Sequence, residues 1–178
     1  LPLVSLAEML FLGHLGGLTL LYNSKFMLIR LRLLPFLKIF LVAYIWVSLG
    51  VVFPAIQHKT MPAPESVLSE LILLIGLCLL FDLKEVEKDR SSGLQTIATV
   101  CGVRLTRFIG FICLLIFGLV RFLPAYGLWP FMIFMTIGAI ITIFTSSRRA
   151  NWYFPVIVDG ILGIYFLLTL YETCFSVG

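Results

Sequence analysis

Residues 67–93 read VLSELILLIGLCLLFDLKEVEKDRSSG, an apolar run that turns abruptly into a charged segment. The apolar part, 67–81, is short for a bilayer crossing, which takes about 20 residues of helix. We therefore expect the helix to continue into the charged segment, until Ser-Ser-Gly at 91–93 breaks it. In such a helix Asp82, Glu85 and Asp89 stand at i, i+3 and i+7, so the three carboxylates share one face.

These carboxylates are crowded for a chain that carries so few charges. Four of its nine acidic residues lie within residues 82–89. Stacked carboxylates repel one another, which favours a cation between them, and Mg²⁺ is commonly held by one or two carboxylates together with substrate phosphates. The alternative is a solvated helix end of mixed charge, because Lys84, Lys88 and Arg90 are interleaved with the acids.

Composition places the chain among polytopic membrane proteins. It is 61% hydrophobic and 12% charged, whereas a soluble domain carries about 25% charged residues. Six apolar runs can be drawn, at about 3–22, 35–57, 67–81, 107–123, 128–145 and 154–175. We predict an all-α transmembrane bundle of six helices that forms a single domain over the whole chain.

Basic residues predict how this bundle is oriented. They are concentrated in the loops after the first, third and fifth runs, and the opposite loops offer only Lys59 and Arg121. By the positive-inside rule the three basic loops are cytoplasmic, and the carboxylates lie on that side. The net charge of +4 then belongs to one membrane face and does not indicate nucleic-acid binding. We predict a multi-pass protein of the cell (inner) membrane.

A second polar constellation precedes the second run, where residues 21–38 read LYNSKFMLIRLRLLPFLK. Arg30 and Arg32 fall on the same predicted cytoplasmic side as the carboxylates. Planar guanidinium groups suit the oxygens of a diphosphate. The alternative is ordinary positive charge in a cytoplasmic loop.

Two segments together resemble the UbiA family of membrane prenyltransferases. The carboxylates at 82, 85 and 89, followed by Gly93, Thr96 and Gly102, resemble the second Asp-rich motif of that family, with Glu85 where many members have Asp. The segment 21–38 resembles the family loop in which Leu-Tyr-Ser precedes an arginine-rich stretch and Pro-Phe-Leu-Lys. Tyr22, Arg30, Arg32, Pro35 and Lys38 match it, and Asn23 replaces the usual Ser.

The resemblance implies a fold and an activity. The six predicted helices would correspond to the last six of the nine in the family. The activity would be Mg²⁺-dependent transfer of a polyprenyl group from a diphosphate donor to an acceptor that is often aromatic, as in quinone and related isoprenoid biosynthesis. Mg²⁺ would be held by Asp82, Glu85 and Asp89, and the diphosphate by Arg30, Arg32 and Lys38. Tyr22 is a candidate cavity residue on the same grounds.

Asp159 is a further candidate, near the predicted cytoplasmic end of the sixth run, where it would either line the cavity or cap and pair locally. The four cysteines have no metal-binding spacing and are expected to be small packing residues.

One departure separates the chain from the family pattern. The first Asp-rich motif of the family, which follows its second helix, has no counterpart here. We therefore expect an N-terminally truncated domain, inactive alone, whose missing helices would supply that motif. The alternative is a non-catalytic protein: a degenerate relative, a membrane scaffold or a small carrier for an amphipathic anion.

Overall fold

The computed structural model describes residues 5–23, 37–93 and 95–145, together with Gly160 and Gly163. Every regular element in this part of the chain is helical, which confirms the all-α prediction at that level. The sixth predicted run, 154–175, lies outside the described residues apart from those two glycines. The predicted count of six helices therefore stays a prediction.

Eight α-helices and two π-helical segments make up the described fold. In chain order the α-helices are α1 Leu6–Asn23, α2 Leu37–Val47, α3 Phe53–Gln57, α4 Pro64–Ser91, α5 Ile97–Val100, α6 Val103–Phe117, α7 Leu123–Tyr126 and α8 Leu128–Phe144. The π-helical segments are Ser48–Val52, between α2 and α3, and Gly118–Phe122, between α6 and α7.

Three continuous helical stretches within the described ranges are long and apolar enough to cross a membrane. They are Leu37–Gln57, Pro64–Ser91 and Val103–Arg121. α1 and α8 are also apolar but shorter. Large apolar side chains cover the outer surface, among them Trp46, Phe108 and Trp129. Lipid is the solvent that such a surface suits.

The expectation that the third helix runs through the carboxylate segment is confirmed. α4 continues from Pro64 to Ser91, so it is about 42 Å long at 1.5 Å per residue. That length exceeds the hydrocarbon core of a bilayer, about 30 Å, and its charged C-terminal part can extend past that core. The helix ends where Ser-Ser-Gly predicts, with Gly93 at φ +70°, a left-handed conformation that glycine adopts without steric cost.

α4 packs against both α2 and α6 and so holds the described bundle together. Its contact with α6 is close because two glycines meet there. A Cβ atom on Gly76 would lie 2.8 Å from Cβ of Cys113 and 3.2 Å from the carbonyl oxygen of Gly110. Small residues that let helix backbones approach closely are a common basis of helix association in membranes. Leu73, Leu80, Leu114 and Phe117 are buried around this contact.

Two of the long helices contain a wide turn just before a proline. Phe53 N–H donates to the carbonyl of Ser48, and Leu123 N–H donates to that of Gly118, each five residues back. Pro54 and Pro124 follow directly. A proline ring clashes with the carbonyl four residues before it and has no N–H to offer. The π-helical turn absorbs this clash without breaking either helix.

Side-chain contacts, both polar and aromatic, hold the remaining helices in place. An Nη atom of Arg107, in the first turns of α6, donates to the carbonyl of Thr145 directly after α8. α1 is tied to the α2–α3 stretch by stacking of Phe11 on Phe53 and by a 3.2 Å hydrogen bond between His14 Nε2 and Tyr44 Oη.

Candidate functional site

The turn between α3 and α4 brings Lys38 to the carboxylate segment. α2–α3 and α4 are consecutive membrane-length helices joined by a short connection, 58–63, so they run antiparallel. Lys38 lies about as far before that connection as Asp82 lies after it. Nζ of Lys38 is 3.0 Å from Oδ1 of Asp82 and 3.0 Å from Oε2 of Glu85. One ammonium group thus bridges two carboxylates one helical turn apart.

The two carboxylates differ sharply in their exposure. The Asp82 side chain is 2% exposed, whereas those of Lys38 and Glu85 are 41% and 43% exposed. Oδ2 of Asp82 is buried and receives no hydrogen bond from the described residues. A buried carboxylate depends on the cation beside it, because little water reaches it. Lys38 is therefore the principal compensation that the described structure provides for Asp82.

Asp89 completes the predicted face of carboxylates. It lies two turns beyond Asp82 on α4 and is likewise buried. Such burial argues against the alternative of a fully solvated helix end, since charged side chains at a solvated end are exposed. Lys84, Glu87 and Lys88 continue the charged segment around this face.

An apolar cavity opens beside the ion pairs, between α2 and α4. Its volume is about 460 Å³, within the range usual for small-molecule sites. The polar residues at its mouth are Lys38, Asp82, Lys84 and Glu85. The rest of the lining is apolar and comprises Ile39, Val42, Trp46, Leu74, Leu77, Cys78 and Phe81. Trp46 is also exposed on the outer surface, so the cavity is open on that side. Two turns of helix separate Lys38 from Trp46, so the cavity extends about 12 Å from its charged mouth.

The segment after α4 is ordered by its own side chains. Thr96 caps the short helix α5, because its Oγ1 accepts from Thr99 N–H and Thr99 Oγ1 accepts from Thr96 N–H. Gly102, at φ +83°, then leads into α6. Thr96 and Gly102, which carry part of the family resemblance, thus have local structural roles that any such turn could use.

The structure brings four of the predicted site residues together on one side of the bundle: Lys38, Asp82, Glu85 and Asp89. Tyr22 is half-buried in the last turn of α1. Arg30, Arg32 and Asp159 lie outside the described residues.

Two features of the site were not foreseen from the sequence. Lys38, a predicted ligand of the diphosphate, bridges two carboxylates in the structure. Cys78, a predicted packing residue, also lines the cavity. Equal distances from the connection 58–63 indicate that Lys38 lies at the same end of the hairpin as Asp82, but they do not show which carboxylates its Nζ reaches.

The carboxylate oxygens at this site determine whether a magnesium ion could bind here. Within the described ranges, no group of three His, Cys, Asp or Glu side chains is arranged to hold a metal ion. The two carboxylates that converge match the one or two that Mg²⁺ usually takes alongside phosphate oxygens. The buried Oδ2 of Asp82 is an available oxygen donor. A two-carboxylate site therefore fits, on condition that Lys38 moves.

Comparisons with known proteins found no matching family model, no matching curated protein and no matching solved structure.

Proposed function

We propose that this protein is a magnesium-dependent membrane prenyltransferase of the UbiA kind. Such an enzyme moves a polyprenyl group from a diphosphate donor to a lipophilic, often aromatic, acceptor. The observation that supports this best is the junction of charge and apolar cavity. Lys38, Asp82 and Glu85 meet at the mouth of a cavity whose deeper wall is apolar. A polyprenyl diphosphate has the matching division into a charged head and an apolar tail.

Each residue of the charged mouth has a role in this proposal. Asp82 and Glu85, the two carboxylates that converge at Lys38, would hold Mg²⁺, with Asp89 as the further carboxylate of the same helix face. When bound, the ion would neutralise charge on the leaving diphosphate. Lys38 donates charge-assisted hydrogen bonds to the diphosphate oxygens. The family resemblance assigns Arg30 and Arg32, which lie outside the described residues, to the same oxygens, since a guanidinium group suits bidentate contact. Tyr22 and Asp159 stay candidate cavity residues on the resemblance alone.

The apolar wall has a separate chemical role. Breaking the allylic C–O bond leaves a carbocation, and water must be kept from it until the acceptor attacks. The apolar lining residues Ile39, Val42 and Leu77 would exclude water from the cation. Aromatic rings such as Trp46 and Phe81 can stabilise a cation through their faces. The acceptor then forms the new bond and releases a proton.

We also propose a location and an orientation for the protein in the membrane. The protein is multi-pass in the cell (inner) membrane, with the carboxylate end of α4 on the cytoplasmic side. Support comes from the three membrane-length helices and from the basic residues Lys84, Lys88 and Arg90 at that end of α4, which the positive-inside rule places in the cytoplasm.

Replacing Asp82 and Asp89 together by Ala tests this function. Membranes containing the full-length protein are incubated with a radiolabelled polyprenyl diphosphate, Mg²⁺ and an aromatic acceptor, and prenylated product is measured. We expect the double variant to lose turnover by at least about a hundredfold, since electrostatic groups of this kind contribute 10²–10³ in rate. Glu65→Ala, at the opposite end of the same helix, is the matched control. Undiminished turnover in the double variant would sink the assignment.

A second candidate function is favoured by one specific observation. Lys38 forms ion pairs with both Asp82 and Glu85, as it would in a purely structural ion-pair cluster. A non-catalytic scaffold, or a carrier for an amphipathic anion, needs no more than this. The two functions differ in magnesium dependence. Mg²⁺ added together with pyrophosphate should stabilise the prenyltransferase against thermal unfolding through Asp82, and should leave a scaffold unchanged.

A further inference from the structure

We propose that Lys38 is a built-in counter-ion that makes the divalent cation and the anionic ligand bind as a pair, each poorly without the other. This inference rests on the proposed function and concerns the regulation of the same site. Nζ of Lys38 lies 3.0 Å from an oxygen of Asp82 and 3.0 Å from an oxygen of Glu85.

A divalent ion and this ammonium group compete for the same oxygens. If the ion bound Asp82 and Glu85 while Nζ stayed in place, the two cations would be in near contact. Their repulsion would be strong, because Asp82 is buried and water screens charges weakly there. The metal alone must therefore displace Lys38. Its binding free energy is reduced by the ion pairs that it breaks.

Lys38 is placed so that it can move without leaving the site. Its side chain is 41% exposed and lies at the mouth of the cavity. A lysine has a flexible four-carbon stem and a compact charge. An ammonium group that swings away from Asp82 and Glu85 thus remains at the cavity mouth, where an anionic head group would lie.

The displaced ammonium group creates the coupling. Once the metal has taken its two carboxylates, Nζ is a cation without a partner beside an apolar wall, and an anion there restores its pairing. An anion that arrives alone finds Lys38 already held by carboxylates, which also repel it. Each ligand therefore removes the obstacle to the other, and reciprocity is required by linkage.

Binding of Mn²⁺, as a probe for Mg²⁺, tests this in nanodiscs of zwitterionic lipid. Free Mn²⁺ is measured by electron paramagnetic resonance with and without inorganic pyrophosphate, and affinities are corrected for the Mn²⁺–pyrophosphate complex in solution. In the wild type we expect pyrophosphate to tighten Mn²⁺ binding at least about tenfold, inside the 5–150-fold range typical of coupled sites. Lys38→Met removes the charge and keeps the length of the stem.

Lys38→Met should bind Mn²⁺ alone at least about tenfold more tightly than the wild type, and its enhancement by pyrophosphate should fall by a similar factor. Lys38→Arg keeps the charge and should retain the weak metal-alone affinity. Unchanged or weaker Mn²⁺ binding by Lys38→Met would overturn the inference. If that variant does not fold, absence of coupling in the wild type overturns it equally well.

Asp82→Asn separates this inference from the proposed function. Loss of Mn²⁺ binding in Asp82→Asn, without tightening in Lys38→Met, would leave the proposed metal site standing and reject the role of Lys38. Unaltered Mn²⁺ affinity in Asp82→Asn would mean that the ion binds elsewhere, and both proposals would fall.

Discussion

At the scale of single residues, the difference in burial between Asp82 and Glu85 determines how much each ion pair of Lys38 contributes to stability. Both carboxylates are 3.0 Å from Nζ, yet water can solvate Glu85 and reaches Asp82 hardly at all. An ion pair at a solvated position contributes little to stability. A buried carboxylate deprived of its cation is strongly unfavourable. The stabilising part of this three-residue cluster is therefore the pair of Lys38 with Asp82.

Removal of Lys38 should be costly and partly reversible by a second change. We expect Lys38→Met to lower the free energy of unfolding by about 1–3 kcal/mol, because Asp82 stays buried without its partner. Glu85→Gln should cost less than about 1 kcal/mol. Adding Asp82→Asn to Lys38→Met should restore at least about 0.5 kcal/mol, the lower end of coupling between contacting residues. Denaturant unfolding in detergent measures the wild type, the single variants Lys38→Met, Asp82→Asn and Glu85→Gln, and the double variant. Strict additivity of Lys38→Met and Asp82→Asn would contradict the assignment.

At the scale of helices, the close contact of α4 with α6 positions the site. Gly76 and Gly110 bring the two backbones together, while the neighbouring face of α4 carries Leu77, Cys78 and Asp82 toward the cavity. The α4–α6 pair thus forms a fixed wall, and α2 closes the cavity from the other side. A change at the glycine contact should therefore act on stability and on the cavity together.

Gly76→Ala should destabilise the bundle. The new Cβ would lie 2.8 Å from Cβ of Cys113, so the helices must separate, and overpacking of this kind costs about 1–3 kcal/mol. Gly13→Ala in α1 is the matched control, because its Cβ would meet no atom within 4 Å. The control should be neutral or stabilising, by up to about 1 kcal/mol, since alanine is the better helix former. Thermal unfolding of both variants compares them; equal midpoints would contradict the close packing.

At the scale of the whole molecule, the length of α4 separates two environments. Its apolar part can fill the hydrocarbon core, and its charged end then lies at the membrane surface. The ion pairs of Lys38 would occupy the boundary between the two. The cavity would begin at that boundary and extend into the apolar region, which is the arrangement that an amphipathic ligand requires.

The orientation can be tested by labelling. In a background in which all four native cysteines are replaced by alanine, Ser92→Cys and Gln57→Cys each introduce one exposed thiol, since both positions are exposed. Gln57 precedes the start of α4 and Ser92 follows its end, so about 42 Å of helix separates the two positions. A membrane-impermeant maleimide should reach Ser92→Cys only from the cytoplasmic side and Gln57→Cys only from the outer side. Labelling of both from one side would show that α4 does not cross.

Much of this fold was accessible from the sequence for simple physical reasons. Hydrophobic runs of membrane length predict helices, because a backbone in lipid must satisfy its own hydrogen bonds. The end of α4 at Ser91 followed from Ser-Ser-Gly. Periodicity placed Asp82, Glu85 and Asp89 on one face. These are local properties, fixed by residues within a few turns of one another.

The tertiary structure decided which side chains meet. No local pattern shows that Nζ of Lys38 lies between Asp82 and Glu85, because that contact spans more than forty residues and depends on the register of α2 against α4. The same holds for the cavity at Cys78 and Trp46, and for the approach of Gly76 to Gly110. The sequence by itself thus determined an all-helical chain, apolar enough for a membrane, with a face of carboxylates. Packing determined that a lysine at the mouth of an apolar cavity is paired with two of these carboxylates.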